Sequence, residues 1–197
     1  MYVSHPEHKR PGPAKAVQLA IWLWLACLGL AAAPCLAADP PQAGDTLPDL
    51  VLNASDRPQD ASYLGLESNA PTFELKNVKA KVVLLEIVGV YCPFCHEQTP
   101  FFNDLHKRLQ RAKLDKDVKI IALASGATLQ EIDYLRTHSA YAYPVLRDED
   151  FSAHKKLNEP KTPFTMLVDA KGKVLYAHKG VINDIDGLFA KIKDLAK

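Results

Sequence analysis

Cys92-Pro93-Phe94-Cys95 is the stretch of this 197-residue chain best equipped for chemistry. Two cysteines separated by two residues can cycle between dithiol and disulfide, and their setting favours that use. An apolar run, Lys81 to Tyr91, precedes them, and a helical pattern begins at Cys92. The start of a helix leaves backbone N–H groups without intrahelical partners, and those groups favour a thiolate on the first sulfur. Cys92 is therefore the expected nucleophile, attacking a disulfide to form a mixed disulfide. Cys95, one turn later, is the expected resolving thiol. The same spacing also suits half of a zinc site, but no second Cys-x-x-Cys or His pair at ligand spacing follows to complete it. A purely structural bridge would close so small a loop that it constrains little of the unfolded chain. Redox work is the better reading.

The rest of the composition narrows the setting. A formal net charge of +1 offers no footprint for nucleic acid, and the length suggests one domain. Residues 1–15 are polar with Lys9, Arg10 and Lys15; Ala16 to Ala33 is almost wholly apolar, and small residues follow through Ala38. These are the three parts of a secretory signal, with cleavage expected after Ala37 or Ala38. The apolar run also approaches bilayer-spanning length, so a retained anchor remains open, and either reading puts the remainder outside the cytoplasm. Cys27 and Cys35 lie in this segment, so cleavage leaves Cys92 and Cys95 as the only cysteines. An exported chain with one pair is not a multiply stapled scaffold; the pair is its working part. The expected division is 1–38 as signal or anchor, 39–70 as a leader partly packed on the domain, and 71–197 as the domain.

The elements that must position the pair follow from periodicity. Phe73 and Leu75 alternate with Thr72 and Glu74, as in a short edge strand. Val82 to Val90 is a continuous aliphatic run of the kind covered on both faces of a sheet, broken by one acid, Glu86. Phe101, Phe102, Leu105 and Leu109 recur at helical spacing, with Pro100 inside that helix as an expected kink. Val118 to Ala124 is a second buried-type strand, and Thr128-Leu129-Gln130-Glu131 is a capping-box pattern opening a helix. A short strand at Tyr143 to Leu146 and a short helix at Phe151 to Leu157 come next. Phe164 to Asp169 and Val174 to His178 then form a hairpin around Lys171-Gly172. A last helix carries Ile185, Leu188, Ile192 and Leu195. The order β-α-β-α-β-α-β-β-α implies an α/β fold, a mixed sheet with helices on both faces.

Strand, Cys-x-x-Cys at the start of a proline-bearing helix, Thr162-Pro163 before an antiparallel hairpin, and a closing helix together resemble the thioredoxin fold. Glu86 lies six residues before Cys92, where thioredoxins place a buried acid, and Pro100 lies five after Cys95, where they place the kinking proline. Thr162-Pro163 stands where they place a cis-proline facing the cysteines. The inserted strand-helix segment from Ala122 to Leu157, with the signal and leader, is similar to the exported TlpA and ResA type of thiol-disulfide oxidoreductase. The resemblance covers about residues 71–197. Tyr91 stands where thioredoxins usually have Trp, and Pro93-Phe94 where they have Gly-Pro. Gln98 occupies a position that is commonly glutamate in the ResA type, and Glu86 one that is often asparagine there.

The resemblance implies a catalytic set of Cys92, Cys95 and Glu86, a redox-active Cys92–Cys95 disulfide, and substrate contacts at Thr162, Pro163, Tyr91, Pro93 and Phe94. A carboxyl in an apolar central strand is costly to keep ionised, so Glu86 is expected to have a raised pKa and to exchange a proton with Cys95 through water. His96 reads as a solvent-facing helix residue, and Tyr141 and Tyr143 as packing. No cofactor beyond the disulfide and no metal is expected. The implied partners are protein thiols and disulfides of the cell envelope, such as apocytochromes, with an upstream electron donor or acceptor. Membrane contact is expected only through a retained N-terminal segment, and the location is periplasmic or otherwise extracytoplasmic. Reduction of substrates is the expected direction, and a DsbA-like thiol oxidase is the alternative. A Sco-like copper protein, with His138 or His154 completing a site, and a non-catalytic interaction module are the other classes. A peroxiredoxin fits least.

Overall fold

The aliphatic run after Lys81 becomes the middle of a sheet. The computed structural model describes Met1, residues 38–66 and residues 70–197. The expected signal or anchor, with Cys27 and Cys35, lies outside the described residues. In chain order the elements are β1 (Val51–Asn53), α1 (Pro58–Leu64), β2 (Thr72–Glu74), β3 (Val82–Val88), α2 (Pro93–Arg111), β4 (Val118–Ser125) and α3 (Leu129–His138). β5 (Val145–Asp148), α4 (Ser152–Lys156), β6 (Phe164–Asp169), β7 (Val174–Lys179) and α5 (Ile185–Leu195) complete the chain. Among the described residues no helix is long and apolar enough to cross a membrane.

Five strands lie in the order β5-β4-β3-β6-β7, with β3 parallel to β4 and antiparallel to β6. Every residue of β3 is buried, because both faces of this central strand are covered. Alternation sorts its side chains. Val82, Leu84 and Val88 join Phe102, Leu105 and Leu109 of α2 and Ile185, Leu188 and Ile192 of α5 in one core. Val83, Leu85 and Ile87 join Ala153 of α4 and the chain before β3 in the other. Both layers expected of a mixed α/β sheet are present, and Glu86 falls on the α2 side of the alternation.

The stretch ahead of β3 is more ordered than its proline-rich composition suggested. β1 pairs antiparallel with β2, aligning Leu52 with Phe73, and α1 ends on Gly65 in the left-handed conformation. Leu47, Leu50, Leu52 and Leu64 are buried against the sheet. Two polar contacts hold the segment in place. Arg136 of α3 pairs with Asp56 at 2.8 Å and donates to Ser55 Oγ at 3.0 Å. Tyr63 of α1 reaches the edge of β4, where its hydroxyl accepts from Ile120 N–H at 3.0 Å. That N–H lies on the side of β4 that β5 begins to cover only at Ala122.

The expected capping box is present: Thr128 Oγ1 accepts from Glu131 N–H while the Glu131 carboxylate accepts from Thr128 N–H. The strand anticipated at Tyr143 to Leu146 instead runs Val145–Asp148, leaving Tyr143 in the loop ahead of it. Asp148 is buried and caps α4 by accepting from Ala153 N–H and His154 N–H. Tyr63→Phe removes the acceptor of a strand-edge N–H with little change in shape. It should lower the unfolding free energy by about 1–3 kcal/mol. Urea denaturation checks this, and a midpoint equal to the parent's would show that the N–H finds another partner.

Candidate redox site

β3 ends beside Gly89, and the chain turns at once into α2. Cys92 is the N-cap residue, in extended conformation, and its Sγ accepts from Cys95 N–H at 3.2 Å. Pro93 occupies the first helical turn, where its missing N–H leaves nothing unsatisfied. Cys92 and Cys95 are joined as a disulfide, with Cα atoms 5.3 Å apart. The two sulfurs differ in access: Cys92 is half-buried, whereas Cys95 is wholly buried in the core under α2. An incoming thiol or thiolate therefore reaches the first sulfur and not the second. α2 runs from Pro93 to Arg111 with Pro100 inside it, and near that proline Thr99 Oγ1 donates to Cys95 C=O at 2.9 Å.

Thr162-Pro163, distant in sequence, comes to the same place. The bond is cis. A Cβ built on Gly89 would stand 3.4 Å from both Cys92 Cβ and Thr162 Oγ1, so three chain segments converge at van der Waals contact there. Pro163 C=O accepts from Gly180 N–H. Among the described residues neither the N–H nor the C=O of Thr162 has a hydrogen-bond partner. Around this point Tyr91 is 78% and Phe94 59% exposed, and Pro93 is exposed as well, an apolar rim of a kind monomer surfaces seldom carry without use. Tyr91 hydroxyl donates to Glu131 Oε1 at 3.0 Å, linking the turn before Cys92 to α3 of the inserted segment. His96, expected to face solvent, is half-buried and pairs through Nδ1 with Ser139 Oγ at 2.8 Å.

Glu86 is fully buried in β3. Gln98 Nε2 of α2 donates to its Oε1 at 2.6 Å, and Tyr143 hydroxyl donates to its Oε2 at 3.1 Å. Loss of solvent outweighs both hydrogen bonds and pushes the carboxyl up to about 7. Burial, aided by the nearby Glu86 charge, holds the Tyr143 phenol well above its ordinary range, so it stays a neutral hydroxyl. Tyr143 thus does more than pack, which a tyrosine at the head of a short strand pattern could not announce. Gln98, noted in the sequence only as a departure, is the residue that reaches the acid. The neighbouring Glu97 is exposed.

Among the described residues no three His, Cys, Asp or Glu side chains gather to hold a metal ion. His154 pairs with Pro160 C=O at 3.0 Å and His138 stacks on Tyr134, so the two histidines that kept a copper site open are engaged elsewhere.

A central strand delivering a Cys-x-x-Cys disulfide to a helix N-terminus, faced by a cis-proline on a mixed five-stranded sheet, defines a thioredoxin-fold protein. The redoxin family profile matches residues 42–192, and the chain belongs to that family. It is 30% identical over 107 residues to thiol-disulfide oxidoreductase ResA of Bacillus thuringiensis subsp. konkukian, an alignment covering 54% of this chain and 60% of that protein. The chain thus aligns with less than two thirds of that relative's length. In fold it is similar to the thioredoxin domain of a thiol-disulfide oxidoreductase from Bacteroides vulgatus, with TM-score 0.59 and 16% identity over 80% of this chain and 99% of that one. It is also similar to StoA of Bacillus subtilis, with TM-score 0.53 and 14% identity over 80% of this chain and all of that one.

The raised carboxyl of Glu86 also has a consequence for stability. In the unfolded chain it ionises near 4.5, in the folded protein near 7. Between those values the folded state holds the proton that the unfolded state has lost. Its contribution is therefore complete below about pH 4.5 and falls as pH rises through about 7, by roughly 3 kcal/mol in all. Glu86→Gln, which keeps a partner for both Gln98 and Tyr143, should gain stability over the parent at about pH 8 but not at about pH 4. Urea denaturation of the two disulfide forms at both pH values measures it; parallel pH dependences would place the Glu86 proton elsewhere.

Proposed function

We propose that this chain is an exported thiol-disulfide oxidoreductase that reduces disulfides in envelope proteins with the Cys92–Cys95 dithiol. The observation that carries the reading is the half-buried Cys92 sulfur at the N-cap of α2, accepting Cys95 N–H and already paired with the buried Cys95. An N–H aimed at sulfur stabilises a thiolate more than a thiol, and the unpartnered N–H groups of the first turn add to it.

In the reductive direction the Cys92 thiolate attacks one sulfur of the partner's disulfide. A Cys92–partner disulfide forms, and the partner's other sulfur leaves as a thiolate that takes a proton from solvent. Cys95 then gives its proton, through water, to the Glu86 carboxylate and attacks the Cys92 sulfur. The second partner sulfur leaves, and the Cys92–Cys95 disulfide closes. Two electrons have passed to the partner, and a dithiol donor of the envelope must return them. The redox group is the chain's own disulfide, so the cycle calls on no further cofactor. Similarity to the TlpA and ResA type supports this direction over oxidation. Thr162, whose N–H and C=O are unpaired among the described residues, lies beside Cys92 and supports docking of an extended substrate segment, which Tyr91, Pro93 and Phe94 would flank. Residues 1–38 serve as the export signal or anchor, 39–70 as the leader and 71–197 as the working domain.

Insulin reduction with dithiothreitol tests the activity. Cys92→Ser should abolish it, and Glu86→Gln should slow it by about 100-fold near neutral pH, in line with the loss of a general acid or base. Full activity in Cys92→Ser would reject the assignment. Cys95→Ser, expressed in the native envelope, should remain disulfide-linked through Cys92 to its partner. Recovery of that partner with its released thiol reduced identifies substrate and direction together. N-terminal sequencing of the envelope-fraction protein should begin at Ala38 or Asp39 if the signal is cleaved and at the original terminus if it is kept. Protein found wholly in the cytoplasm contradicts export.

A further inference from the structure

The two oxygens of Glu86 are not equivalent. Gln98 presents its amide in one orientation only. Ile182 N–H lies 2.8 Å from the side-chain oxygen and can only donate, so that oxygen must face Ile182 and the amide nitrogen must face Glu86. Oε1 of Glu86 therefore always receives an N–H, and a proton on it would oppose that donor. Oε2 meets a hydroxyl, Tyr143, which can donate or accept.

We propose that Gln98 and Tyr143 are positioning residues for the Glu86 proton: Gln98 holds Oε1 as a permanent acceptor, and Tyr143 lets Oε2 alone take up and release the proton by reversing its hydroxyl. The catalytic consequence rests on the reading of Glu86 as proton carrier for Cys95. In that step the Cys95 thiol becomes a thiolate, the Glu86 carboxylate becomes an acid protonated on Oε2, and no electron moves. The Tyr143 O–H turns away from Oε2 as its oxygen begins to accept.

The surroundings leave these two residues in control. From the loop before β5 the titratable groups are Tyr141 and Tyr143; from α2 they are Cys95, one turn before Gln98, and His106, whose ring centre is 6.2 Å from that of Tyr143. β4 and β6 align neutral Ala122 and Thr165 with Glu86, and among the described residues no charged side chain hydrogen-bonds to it. Thr165 Oγ1 is buried without a partner among the described residues, and the Tyr141 ring centre lies 5.4 Å from that of Tyr143, so hydroxyl oxygens stand in the same part of the core for a turned Tyr143 hydrogen. Gln98 also ties α2 and the acid to the loop before α5 through Ile182. The helix that carries the cysteines and the strand that carries the acid are thereby held in one register.

The test is a titration of the Glu86 carboxyl carbon by 13C NMR in the oxidised full chain, beside the pH dependence of insulin reduction. Gln98→Met removes a group that only donates to the carboxylate and should move the midpoint upward by about one pH unit, whereas Tyr143→Phe, which loses a donor to the anion and an acceptor for the acid together, should move it upward by less. Placing 3-fluorotyrosine at position 143, a stronger donor of unchanged shape, should move it downward. A residue that only filled space would give neither sign. A midpoint unmoved by Gln98→Met overturns the proposal. Where that variant does not fold, the fluorotyrosine protein decides in the same way: a downward shift supports the proposal, and an unmoved midpoint overturns it. If the NMR midpoints move as stated while the rate profile stays put, the positioning holds and the role of Glu86 as proton carrier for Cys95 falls.

Discussion

A sulfur acting as a helix cap is the interaction on which the arrangement turns. Cys92 does for α2 what serine or aspartate does for most helices, accepting an N–H of the first turn. Because β3 sits between β4 and β6, the end of that strand is held on both sides, and the short turn through Gly89 leaves the helix little freedom in where it starts. A cap on a mobile loop would expose the sulfur without aiming it. Here the capping contact, the exposure of one sulfur and the burial of the other all follow from placing a helix N-terminus at the end of a central strand.

The same sheet supplies the acid. Glu86 is on the strand that delivers Cys92, on the face covered by the helix that Cys92 begins, so strand alternation commits it to the core. A carboxyl in that position is tolerated because Gln98 and Tyr143 satisfy its oxygens, but these hydrogen bonds do not replace the solvent lost. The result is a group that titrates near neutrality inside an otherwise apolar layer. It destabilises the folded protein where it is ionised, a common pattern where chemistry and stability make opposing demands.

The stretch before β3 contributes to the opposite face. Its leucines complete the second core, and Tyr63 covers a bare part of the β4 edge. With a helical layer on one face and this segment with α4 on the other, the central strands have no wet side. That is why β3 and β4 read as nearly continuous aliphatic runs and not as alternating ones.

Much of this was legible from one dimension. The run from Val82 to Val90, the Cys-x-x-Cys at its end, the capping box at Thr128 and the helical spacing of Phe102, Leu105 and Leu109 are local patterns, and local patterns depend on backbone periodicity and cap chemistry alone. The oddity of Glu86 was visible for the same reason, as one polar residue in an apolar run. β1 and α1 were not legible, because three-residue strands and a seven-residue helix among prolines have too little periodicity to stand out, and tertiary packing stabilises them. Nor was the company that Glu86 keeps. Gln98 lies 12 residues away and Tyr143 57, and a polar side chain carries no mark of which distant group it will meet. Local pattern accounts for the elements from β3 onward, the reactive pair and the helix end that presents it, since these follow from near-neighbour sterics and hydrogen bonding. Which sulfur faces outward, that Thr162 stands beside Cys92, and which oxygen of the buried acid each donor holds were set by folding, since they depend on contacts between segments brought together by closing the core.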